Sequence, residues 1–183
     1  MPSPIVHSAA GLLVYRLARE QLKTLGSRQL GPFPLVMSIP LLFSLLPDLD
    51  AIPGLLAGNL GQFHNNGTHS VVVGLGIALI VAGAISWRRR SGFLTWFLIL
   101  FSSYALHVGL DYVTFGERGV MLLWPLTGRR FDSGLTFFYG VRWSEGLWSV
   151  QHAITILTEL AFVIPAAGLV KWIEGRIARP VQT

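Results

Sequence analysis

The chain has 183 residues, 52% hydrophobic and 13% charged, with a formal net charge of +5 and no cysteine. A charged share about half that of a soluble globular protein, with a mean hydropathy of +0.57, excludes an ordinary soluble domain and points to a membrane-embedded one. The lack of cysteine excludes disulfides and thiolate metal sites, and the basic residues cluster at the ends of apolar runs, which reads as membrane topology and not as affinity for nucleic acid.

Five helical segments predict an all-α integral membrane bundle, one domain over residues 1–183. "SPIVHSAAGLLVYRLAREQL" opens with Ser3 as N-cap and Pro4 at the first helical position, apolar early and charged late. No Lys or Arg precedes Arg16, so this start does not read as a secretory signal. "PLVMSIPLLFSLLPDLD" is a short apolar segment with an internal Pro40 and an expected stop at Pro47. "SVVVGLGIALIVAGAISW" (70–87) carries no charge over eighteen residues, enough to cross a hydrocarbon core of about 30 Å. "GFLTWFLILFSSYALHVGLDYVTF" (92–115) is apolar until His107, and "VQHAITILTELAFVIPAAGLVKW" (150–172) is apolar apart from His152 and Glu159.

Between the last two segments, residues 113–148 form a loop rich in Trp, Phe, Gly and Arg. It is too long for a simple connector and reads as a lid or a substrate-facing element. Trp124, Tyr139, Trp143 and Trp148 suit an interfacial aromatic belt or a lid over an apolar tail. Arg129 and Arg130 beside Asp132 are either a phosphate-binding group or solvated loop charges.

The basic clusters (Arg16 to Arg28, Arg88 to Arg90, and Lys171 with Arg176 and Arg179) all fall at one end of their helices. The positive-inside rule makes that end cytoplasmic in a multi-pass protein of a prokaryotic inner membrane; Arg118, Arg129, Arg130 and Arg142 of the long loop run against the count. At the opposite ends stand His7, Asp48 and Asp50, His69, His107 with Asp111, and His152. Alternating helices therefore bring the histidines and the two-Asp stretch to one level. His107 and Asp111, at i and i+4, face the same way on a helix and can hold one ion. Of Asp48 and Asp50, one can ligate while the other fixes a histidine from behind. His64 lies in a Gly/Asn loop able to fold back on His69. Such a nitrogen and oxygen donor set suits Zn²⁺, with Mn²⁺ or Fe²⁺ also compatible, and its size allows one or two ions. Glu159, two helical turns beyond His152, suits a ligand or a proton-handling group. The plainer alternative is polar side chains bonding helix to helix.

The order His7, "LLPDLD", "HNNGTHS", "HVGLDYVTFG" and "LLWP" resembles the YdjM/YbcI-type family of predicted membrane-bound metal-dependent hydrolases, over about residues 5 to 127. That family commonly shows an Arg after the first His of the third motif, where Asn65 stands here. The family is in turn similar in its order of ligands to the zinc-dependent phospholipase C and P1-nuclease group. The resemblance implies His7, an Asp of "PDLD", His69, His107 and Asp111 as metal ligands, with Asp111 bridging; His152 and Glu159 match only loosely the pair that closes the zinc cluster in the soluble group.

The resulting expectation is a membrane-bound metal-dependent hydrolase of an ester or phosphoester, with Asp48 or Asp50 as general base and a lipid-linked substrate reaching it under the aromatic loop. Two rival readings are a metal-ion or proton transporter, in which intramembrane His, Asp and Glu mark the pathway, and a non-catalytic protein braced by its metal. The oligomeric state is not legible.

Overall fold

The structure is a computed structural model, which describes residues 2–25, 33–58, 63–90, 92–115, 118–141 and 149–177. Arg28, Arg142, Trp143, Trp148 and Arg179 lie outside these residues.

Helix α1 spans Pro4–Thr24. Pro4 occupies a position whose N–H has no helical partner in any residue, and Ser3 Oγ accepts the Ile5 N–H at 3.2 Å. Helix α2, Phe33–Leu45, carries Pro40 inside it. The α-helix stops two residues short of Pro47, as expected, but Pro47 does not end the helical run. It enters a 3₁₀ turn, Leu46–Asp50, near its start, where a missing N–H removes no bond, and the chain runs straight on into α3, Ala51–Leu56. After a short 3₁₀ turn at Gly67–His69, helix α4 spans Val71–Arg89. Its N-cap is Ser70, whose Oγ accepts from the N–H groups of Val72 at 3.1 Å and Val73 at 3.4 Å. Helix α5 covers Phe93–Tyr112 and α6 covers Val150–Ile177. Two short strands, β1 (Thr114–Phe115) and β2 (Phe138–Tyr139), pair in parallel within the long loop.

Helix α5 is central: α1, α2 and α4 all pack on it, and α1 packs on α2. Val14, Tyr15 and Leu22 of α1, Ala78 and Ala82 of α4, and Trp96, Ile99 and Leu100 of α5 form the core. Gly11 lets α1 and α2 close: a Cβ there would lie 2.9 Å from the Leu41 Cα and 2.9 Å from the Pro40 carbonyl oxygen. Helix α6 joins through α1 and β2.

Among the described residues, four helical stretches are long and apolar enough to cross a membrane: Met37–Leu56, Val71–Arg88, Phe93–Tyr112 and Val150–Trp172. Their outer sides expose Leu42, Ile80, Leu94, Leu157 and Ile164, which would be costly in water and is stable against lipid. The first segment is not among the four; its second half carries Arg16, Arg19 and Glu20.

Candidate metal centre

Each helix brings its polar residues to the same end of the bundle. His7 lies one turn before Gly11, so the close approach of α1 to α2 seats its ring against α5. The His7 and His107 rings stack with centroids 3.6 Å apart. His107 and Asp111 stand one turn apart on α5, with Nε2 and Oδ2 separated by 3.3 Å. Asp48 enters from the 3₁₀ turn, and residues 64–69 fold back so that the His64 and His69 rings meet edge to face at 4.7 Å. Asn65 permits that reversal, with φ +62°, a left-handed conformation that Asn tolerates better than most residues.

The inner atoms form a tight set. His69 Nε2 lies 3.0 Å from Asp111 Oδ2 and 3.3 Å from His107 Nε2. Asp48 Oδ1 lies 3.5 Å from His107 Nε2, 3.7 Å from His69 Nε2 and 3.9 Å from His64 Nε2. The other oxygen of Asp111 faces His7 Nε2 at 3.4 Å. Ligands about 2.0–2.2 Å from one tetrahedral ion stand about 3.3–3.6 Å from each other, so these separations fit a shared ion. Among the described residues, three groups bring their donor atoms within 4.8 Å of one another: His7, Asp48 and His107; Asp48, His64 and His69; His69, His107 and Asp111. Asp48 belongs to two of these groups and Asp111 to one, and the two oxygens of Asp111 face different histidines, His7 on one side and His69 with His107 on the other.

The outer atoms are tied down. Asp50 Oδ1 meets His64 Nδ1 at 2.9 Å, and Asp50 Oδ2 meets His69 Nδ1 at 3.1 Å. Thr68 Oγ1 donates to Asp50 Oδ2 at 2.7 Å. His107 Nδ1 lies 2.6 Å from the Ser44 carbonyl oxygen and can only donate to it. Three histidines are thus held from behind with Nε2 turned inward, the arrangement that fixes ring orientation in metal sites. By contrast, both nitrogens of His7, both oxygens of Asp48 and of Asp111, and Nε2 of His64 are buried without a hydrogen-bond partner. Buried polar atoms are rarely left so, and here most of them face one another. The donor set fits a divalent cation.

Burial, the largest influence, and the neighbouring His107 hold the His7 imidazole below its usual pKa despite Asp111, which favours the neutral, ligating form. His69 goes the other way. Burial pushes it down, but the nearby carboxylates of Asp111, Asp48 and Asp50 outweigh burial and raise it well above the ordinary value.

Seven of the nine residues singled out in the sequence therefore meet: His7, Asp48, Asp50, His64, His69, His107 and Asp111. The other two stand outside these groups. His152 is half-buried on the first turn of α6 and belongs to none of the three groups. Glu159 is buried, and its carboxylate accepts from both the backbone N–H and the hydroxyl of Ser3; it fastens α6 to the start of α1, one turn before His7. The cluster does not stand at the end of every span. The second continues six residues past Asp50 to Leu56, about 9 Å of helix.

Sequence reasoning missed how the long loop serves the site. Arg130 donates to the Asn65 carbonyl at 2.9 Å, the Asn66 side-chain oxygen at 2.7 Å and the Gly119 carbonyl at 2.9 Å. It clasps the histidine-bearing turn, a role the proposed phosphate contact did not anticipate. Ser70 Oγ bonds the carbonyls of Leu122 at 3.0 Å and Trp124 at 2.6 Å, and the Trp124 ring covers Gly67, where a Cβ would lie 2.8 Å from it. Tyr104 donates from α5 to the Thr68 carbonyl.

These features define a multi-pass helical membrane protein with a buried His/Asp cluster near one end of the bundle. The chain belongs to the YdjM inner membrane protein family, whose sequence model matches residues 1–178. It is similar to the inner membrane protein YbcI of Escherichia coli (strain K12), with 32% identity over 134 residues covering 72% of each chain. No solved structure matches the chain.

Proposed function

We propose that the protein is a membrane-bound, metal-dependent hydrolase that cleaves an ester or phosphoester bond, with a lipid-linked molecule as substrate. The observation that carries this reading is the set of buried, unpartnered donor atoms of His7, Asp48, His64 and Asp111 converging with the Nε2 atoms of His69 and His107. Nitrogen and oxygen donors at these separations suit zinc, with manganese or iron(II) compatible, and Asp111, whose two oxygens face different histidines, would be the shared carboxylate if two ions were held. Bound there, a divalent ion supplies Lewis acidity and a nucleophile at neutral pH. The chain's own part is to orient the ligands and move protons. The general base would be a carboxylate left off the ion, and Asp48 suits it where the histidines and Asp111 hold the ion; Asp50, engaged by His64, His69 and Thr68, suits a positioning role. The site then belongs on the non-cytoplasmic side, since Arg88 and Arg90 of α4 and Lys171 and Arg176 of α6 lie at the far ends of their helices.

Elemental analysis of detergent-purified protein tests the metal. One or two ions per chain are expected, lost in both His107→Ala and Asp111→Ala with helical content retained. Stoichiometric metal in both variants would overturn the assignment, and the loaded protein is then the one to assay against lipid phosphoesters. The transporter reading draws its support from Glu159, buried in a span away from the cluster; metal-dependent flux in sealed vesicles is its signature.

A further inference from the structure

Leu123, Trp124, Leu126, Leu135, Phe137 and Tyr139 are 42%, 43%, 77%, 69%, 61% and 45% exposed, yet none of them belongs to a candidate span. Their level in the bundle is given by what they bond. Val71, the first residue of the α4 span, donates its N–H to the Leu122 carbonyl at 3.0 Å, so the turn at 122–126 lies at the rim of the apolar zone. The other limb of the loop runs along the end of α5 and the first half of α6. The Phe137 N–H bonds the Val113 carbonyl, just past the end of α5, at 2.9 Å. The Phe138 ring meets Phe162 of α6 edge to face at 5.2 Å, and Phe162 lies twelve residues, about 18 Å of helix, inside the span that begins at Val150. A chain segment against lipid must satisfy its backbone internally, and several of the exposed apolar positions do so. Trp124 N–H bonds Met121 O at 3.1 Å, Leu126 N–H bonds Leu123 O at 2.8 Å, and Leu135 N–H bonds Ser133 Oγ at 3.1 Å.

We propose that the loop 118–141 is a membrane-inserted element, its exposed apolar residues seated in the lipid at the boundary between headgroups and acyl chains. This surface is continuous with the lipid-facing sides of α4 and α6, which favours the bilayer as its occupant. The polar edge of the same loop, with Arg129 and Asp132 exposed, faces the headgroups and water. The inserted turn is the one that bonds Ser70 and covers Gly67, so lipid at the loop lies next to the segment carrying His64 and His69. The inference is independent of any metal or catalysis.

The absence of native cysteine allows a direct test. Leu126→Cys, Leu135→Cys, Asp132→Cys and Ile80→Cys are each spin-labelled in the full chain and reconstituted into phosphatidylethanolamine–phosphatidylglycerol vesicles. Collision with oxygen, which concentrates in lipid, is compared with collision with a water-soluble nickel chelate. Ile80, exposed on the α4 span, marks the acyl interior. The expected oxygen-to-nickel ratio at positions 126 and 135 is severalfold above that at 132 and below that at 80. Ratios at both positions equal to that at 132 would put the loop in water and overturn the proposal. Shielding from both reagents, with spin–spin broadening at full labelling, would show a second copy covering the face and overturn it equally.

Discussion

Asp50 makes no inward contact of the kind Asp48 makes, yet it holds two of the histidines that do. Carboxylates placed behind metal-ligating imidazoles typically contribute 10–100-fold in affinity. Asp50→Asn is therefore expected to keep the metal stoichiometry and weaken binding by about 10–100-fold, measured by chelator competition; unchanged affinity would mean that His64 and His69 are oriented by other groups. His69 makes a second prediction. Its pKa is raised, which favours the protonated ring in the metal-free protein, and metal must displace that proton. Loading near neutral pH then releases protons and weakens as pH falls, and the release fades once pH exceeds the raised value. Calorimetry in buffers of different ionisation enthalpy reads it directly, and loading without proton release would rule out a protonated His69.

At the scale of elements, α6 joins the bundle through α1 and β2, and Glu159 is one of its ties to α1. An amide cannot accept from the Ser3 N–H and hydroxyl through both of its atoms. Glu159→Gln should thus leave a buried donor poorly paired, at a cost of about 1–3 kcal/mol, and lower the thermal midpoint while metal content stays unchanged. Loss of metal with the fold intact would instead bring Glu159 into the site, as its position in the sequence allowed. The second span shows how a proline misleads. Pro47 reads as a stop because proline breaks a helix interior, but near the start of a 3₁₀ turn it costs no bond. That turn aims Asp48 inward and Asp50 at the backs of His64 and His69, a division of labour that the spacing "DLD" leaves open.

For the whole molecule, orientation is the property most open to test. With the cluster on the non-cytoplasmic side, a membrane-impermeant maleimide should label Asp132→Cys in intact cells and Arg88→Cys only after permeabilisation; the reverse pattern would invert the topology. The sequence by itself determined the helical membrane class, because apolar runs of eighteen residues or more have few other stable destinations. It also determined most of the donor set, because the histidines and aspartates recur at corresponding ends of successive apolar segments and an ionisable group there is rarely neutral to function. Only the tertiary structure decided which donors meet. His152 and Glu159 share a helix face with nothing in their spacing to exclude them, and their separation from the cluster follows from how α6 packs on α1 and β2. The clasp of Arg130 on Asn65 and Asn66, and the fall of the loop along α6 to Phe162, join residues more than twenty positions apart through irregular backbone. Such contacts carry no periodicity, so no pattern along the chain announces them.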